Sequence, residues 1–99
     1  MGVVVCKDGF SMSVQASSRH YCTPKNDVGP YNTVEVGMPS AKESLLMPYA
    51  EDASSPTNTV YGWVPSNTIW DVITKRGGYV SGELPPLFYG DYHGKEEEV

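Results

Sequence analysis

Residues 20–31 read HYCTPKNDVGPY, and they place a histidine, a cysteine, a lysine, an aspartate and two tyrosines within twelve positions. These types could ligate a metal or support a nucleophile. A zinc site would draw on His20, Cys22, Cys6 and His93, but the chain has no C-x₂₋₄-C pair to set a tetrahedral geometry. A nucleophilic site would use Cys22 or a serine with His20 or His93 as its base. Thiol catalysis needs a thiolate held by a nearby cation and a base oriented by a third group. Arg19 and Lys25 are close to Cys22 in sequence, yet they complete no recognisable signature. No catalytic residue, no metal ligand and no cofactor is therefore predicted, and glycine-rich phosphate loops of the GxGxxG or GxxxxGK[ST] type are absent.

The elements around this stretch are readable from period and punctuation. Val3-Val4-Val5-Cys6 is a β-branched run, and Phe10, Met12, Val14 and Ala16 alternate with Ser11, Ser13, Gln15 and Ser17, as in a half-buried strand. Asp8-Gly9 between them suits a two-residue type I′ turn, which would set Val5 opposite Met12, Val3 opposite Val14, and Cys6 opposite Ser11 on the other surface. Alternation returns in 32–38, with Val34, Val36 and Met38 facing inward. Leu45-Leu46-Met47 reads as a short strand. Thr59 to Val64 carries apolar groups on both faces, as an interior strand does.

One helix is predicted at about 65–76. Pro65 fits its first turn, Ile69, Val72 and Ile73 form its apolar stripe, Lys75 and Arg76 suit its C-terminal end, and Gly77-Gly78 stops it. Gly77-Gly78 thus has a capping role, since a phosphate site would need glycines before a helix. Tyr79 to Leu84 returns as an edge strand that Pro85-Pro86 ends. The expected architecture is α+β: a small antiparallel sheet, made of the N-terminal hairpin and two to four further strands, with one helix packed on it. Residues 1–87 form one compact domain, and 88–99 an acidic C-terminal arm.

Composition narrows the function classes. A chain of 99 residues holds one core, and its ten glycines and eight prolines imply many turns. No apolar run is long enough to span a bilayer, and the opening segment is too short for a signal sequence, so a cytoplasmic protein with reduced thiols is expected. The net charge of −5 is uneven. Residues 26–74 carry −5 and the stretch from Gly77 carries −4. Direct nucleic-acid binding is disfavoured by phosphate repulsion, whereas a basic partner protein is accommodated.

A domain this small cannot bury Tyr21, Tyr31, Tyr49, Tyr61, Trp63, Trp70, Tyr79, Phe88, Tyr89 and Tyr92 completely. Surface aromatics beside acidic groups make a partner-binding composition. The predicted contact set is Tyr21, Tyr31, Glu35, Glu43, Tyr49, Glu51, Asp52 and Asp71. The connection from Ser18 to Tyr31 is far longer than the usual ~4–6 residues, as binding loops often are. Two C-terminal segments have plain structural roles: Glu96-Glu97-Glu98 as a solvated tail and Pro85-Pro86 as a stop after a strand.

Through the blocks VVVCKDGFSMSVQASS, TVEVGMPS and TVYGWVPSNTIWDVI, the chain resembles the small accessory proteins of phages and prophages. The resemblance implies a monomer or homodimer in the host cytoplasm that inhibits a host defence or nucleic-acid-processing protein, such as a CRISPR–Cas or restriction component, its acidic groups standing in for phosphates. Two other classes are compatible with the sequence: a self-associating virion or assembly component, and a small thiol- or metal-dependent enzyme.

Overall fold

The computed structural model describes residues 3–88. Five strands form one antiparallel sheet in the order β4-β3-β2-β1-β5. They are β1 (Val3–Cys6), β2 (Ser11–Gln15), β3 (Thr33–Gly37), β4 (Val60–Pro65) and β5 (Tyr79–Ser81), with one helix, α1 (Ser66–Lys75), between β4 and β5. The architecture is the expected α+β.

The core lies on one face of the sheet. Val4, Cys6, Met12, Val14, Val34, Val36, Tyr61 and Val64 project from the strands, and Ile69, Val72 and Ile73 come from the apolar stripe of α1. The helix stops at a Schellman turn. Gly78 N donates to Ile73 O, Gly77 N donates to Thr74 O, and Gly77 takes the positive φ this motif requires. Pro65 is the cap residue before the first turn, and Ser66 N and Oγ donate to the carbonyls of Asn32 and Tyr31.

Four local expectations are corrected. The hairpin turn uses three residues, Lys7-Asp8-Gly9, with Gly9 N donating to Cys6 O and Gly9 at φ +96°. One extra loop residue shifts the register by one, so Val4 pairs with Met12 and Val5 with Ser11. Val4 and Cys6 consequently enter the core, while Val3 and Val5 turn outward. Met38 adopts a left-handed φ of +47° that takes the chain off β3, leaving its side chain 70% exposed. Leu45-Leu46-Met47 is a turn leading into a 3₁₀ turn, Met47–Tyr49, because Pro48 has no N–H to give a ladder. Finally, β4 is at the edge of the sheet, and its two-sided apolar pattern arises because Tyr21 covers its outer face at Gly62.

Glu43 requires a further correction, because its side chain is wholly buried and offers nothing to a partner. Its Oε2 accepts from Lys75 Nζ at 2.7 Å and Leu45 N at 2.9 Å, and its Oε1 accepts from Arg76 Nε at 2.8 Å. Arg76 also lies 3.4 Å from Asp8 and stacks over the Phe10 ring. The cluster therefore joins the segment before the 3₁₀ turn, the end of α1 and the β1–β2 hairpin. Burial alone pushes the Glu43 carboxyl up, but Lys75, the Leu45 N–H and Arg76 outweigh it and hold the group below the usual carboxylate range.

A depressed folded-state pKa stabilises the fold above the unfolded carboxylate pKa, and that contribution is lost as the pH falls through the folded value. Glu43→Gln keeps an acceptor for Leu45 N but removes the charge, and is expected to cost about 2–3 kcal/mol in urea unfolding at neutral pH. As the pH falls from the unfolded carboxylate pKa of about 4.3 through the depressed folded value, the two proteins should converge in stability. A variant as stable as wild type at neutral pH would show that the cluster contributes nothing.

Candidate partner-binding surface

The outer side of β4 carries an irregularity that the inner side does not. Val34 pairs with Val64 and Val36 with Tyr61, so β4 has one more residue than β3 across this interval. The result is a β-bulge at Gly62-Trp63, opposite Glu35. Trp63 takes φ +51°, a region in which a bulky residue costs roughly 1–2 kcal/mol. The residue is 53% exposed and therefore recovers little of that cost by burial.

The long connection docks on this bulge. Thr23 bridges to Thr33 in the lane that β2 vacates after Gln15, and Tyr21 lies over Gly62. A Cβ at Gly62 would stand 3.3 Å from Tyr21 Cβ, so glycine is what permits this approach. Tyr21 N donates to Glu35 Oε1 at 2.9 Å, and Trp63 N donates to Tyr21 O at 3.0 Å. The two rings stack with centroids 4.8 Å apart and planes 24° apart, and Lys25 Nζ lies over the Tyr21 ring at 5.7 Å. Tyr21 is itself 39% exposed. Two rings, one carboxylate and one ammonium thus gather on a surface held by backbone hydrogen bonds.

Of the residues expected to bind a partner, the fold brings Tyr21 and Glu35 together here. Glu51 and Asp52 are exposed at the start of the same strand, where Glu51 N donates to Val60 O. Asp52 Oδ1 accepts from Ser54 Oγ and N, and these bonds hold its carboxyl below the usual range. Asp71 is exposed on α1, across the core from Tyr21. Tyr49 is half-buried against the core.

Tyr31 does not belong to the contact set. It is 2% exposed, its Oη donates to Asn26 O, and it anchors the base of the connection. Burial, with Cys22 and Asp27 nearby, raises its phenol pKa. Trp63, in contrast, is central here and missing from that set. Its only signal in the sequence is the adjacent Gly62, since a positive φ at tryptophan has no signature.

The groups of the two chemical readings lie elsewhere. Cys6 and Cys22 are buried and unpaired with each other. The Cys6 thiol is pushed up by burial and by Asp8, and Cys22 Sγ donates to Ser17 O. Ser17 Oγ is 2.6 Å from His20 Nδ1 and also accepts from Arg19 N. Among the described residues no three of His, Cys, Asp and Glu are placed to hold a metal ion. His93 lies outside the described residues, as does the acidic arm from residue 89 onward. No described helix is long and apolar enough to cross a membrane. Comparison with protein-family models, curated proteins and solved structures returned no match.

The strain at Trp63 makes a measurable statement about stability. Trp63→Gly removes a stack worth about 0.5–1.5 kcal/mol and relieves backbone strain of similar size. Urea unfolding should therefore place this variant within about 1 kcal/mol of wild type. A loss above about 3 kcal/mol would make Trp63 a structural residue and remove the case for a surface role.

Proposed function

We propose that this chain is a protein-binding module that occludes a basic surface on its partner. The observation that carries the reading is Trp63, a half-exposed indole held in a strained bulge. Hot spots at protein interfaces are enriched in tryptophan and tyrosine. The stack of Tyr21 and Trp63 supplies the anchor, Glu35 supplies charge beside Tyr21, and Glu51 and Asp52 supply charge at the start of β4. Asp71, across the core, contributes only to the overall field. The resemblance to phage accessory proteins makes a host defence or nucleic-acid-processing protein the first partner class to test, with the host cytoplasm as the place of action.

Electrostatic guidance predicts fast association that weakens with salt. Immobilised chain is expected to capture a partner from host lysate at low salt and release it at about 0.5 M. Glu51→Lys with Asp52→Lys should weaken capture at least tenfold, and Trp63→Ala should abolish it. Capture that is indifferent to salt, to charge reversal and to Trp63→Ala would overturn the reading.

A second reading, a self-associating component, is favoured by the β5 edge. Tyr79 and Val80 are exposed there, and no described residue pairs with the outer side of the strand. Val80→Pro blocks strand addition. Light scattering after gel filtration should then show an oligomer for wild type and a smaller species for Val80→Pro; a wild-type monomer would rule this reading out.

A further inference from the structure

Asp8 is the only aspartate or asparagine in the chain that a glycine follows. Aspartate before glycine is the dipeptide that rearranges most readily, because glycine sets no Cβ beside its own amide nitrogen. The Gly9 nitrogen attacks Asp8 Cγ, the carboxyl hydroxyl and the amide proton leave together as water, and a five-membered succinimide closes. Water then opens the ring. Opening at the main-chain carbonyl of Asp8 routes the backbone through the β-carbon and gives isoaspartate, while opening at the other carbonyl restores aspartate. Nothing is oxidised or reduced.

The turn is accessible, yet each reacting group is tied. The Asp8 side chain is 43% exposed, and no atom stands within 4 Å of the place a Gly9 Cβ would take. Asp8 Oδ1 accepts from Phe10 N at 2.8 Å, and Oδ2 accepts from Arg76 Nη1 at 3.4 Å. Gly9 N donates to Cys6 O at 2.9 Å, and Asp8 N donates to Arg76 O at 3.0 Å. Arg76, the C-cap of α1, thus holds the turn by its backbone and by its carboxylate.

We propose that Asp8-Gly9 is a latent modification site, held closed by Arg76 and converted to isoaspartate when the end of α1 releases the hairpin. It goes beyond the partner-binding reading and is independent of it. Attack at Cγ requires Asp8 to leave Phe10 N and Arg76, and Gly9 N to leave Cys6 O. The rate is then the fraction of chains open at this corner multiplied by the rate of the free dipeptide. Isoaspartate adds one backbone carbon to the turn that sets β1 on β2, and moves the carboxylate away from its two partners. A molecule that has once opened is therefore marked covalently after it closes.

The test incubates the full chain and the capped peptide of residues 5–12 side by side in warm neutral buffer. Isoaspartate is counted by methyl transfer with an isoaspartyl methyltransferase, and its position is read by peptide fragmentation. The folded chain should convert at least about tenfold more slowly than the peptide, as an open population below ~10% requires. Sodium chloride at about 1 M screens a half-exposed ion pair, and should speed the folded chain at least about twofold while leaving the peptide unchanged. Arg76→Gln should speed it further, whereas Glu43→Gln, which leaves both partners of Asp8 in place, should speed it less. Conversion of the folded chain at the peptide rate would overturn the proposal. Equal rates in Arg76→Gln and Glu43→Gln would also overturn it, by assigning the protection to global stability. If circular dichroism shows Arg76→Gln unfolded, the salt comparison on wild type decides, and a rate indifferent to salt removes the role of Arg76.

Discussion

A carboxylate removed from solvent has to be matched by charge, and Glu43 is matched by two cations from the end of α1. The constraint is tight because its four donors come from three places: Lys75, two nitrogens of Arg76, and the Leu45 amide. Leu46, fully buried, is set into the core beside this anchor, and Arg76 is passed on to Asp8 and Phe10 in the hairpin. The helix therefore has a fixed rotation and a fixed end. The Tyr21–Trp63 stack is on the far side of the sheet from this cluster.

Buried charge of this kind is poor evidence of high stability, since desolvation offsets much of the attraction. Its effect is on uniqueness: a helix shifted by one residue would leave the carboxylate without Lys75 or Arg76. The opposite end of the core is closed by apolar contacts. There the chain after β5 crosses back to Tyr31, with Tyr31 N donating to Pro86 O and Leu87 buried.

Much of the fold was legible because it follows short-range rules. Alternation marked β2 and β3, the apolar stripe marked α1, and Gly77-Gly78 marked its cap. Failures came where two local solutions are nearly equal or where partners are distant in sequence. Lys7-Asp8-Gly9 suits both a two- and a three-residue loop, and the difference exchanges the faces of β1. Glu43 looked like a surface acid because its cations are 32 and 33 residues away. Tyr21 was legible from the length of its connection. Trp63 was not, because a bulge is decided by the pairing of two strands and neither strand alone reveals it.

The two ends of the sheet differ in a way that limits assembly. The β4 edge is partnered by Ala50 at Tyr61 and by Glu51 at Val60, while among the described residues the β5 edge is open. A sheet with one growable end can be extended once. Two copies joined antiparallel through β5 would share a two-fold axis and present a closed β4 edge at either extremity. Backbone pairing through β5 would therefore lead to a pair, and among the described residues the covered part of β4 offers it no continuation.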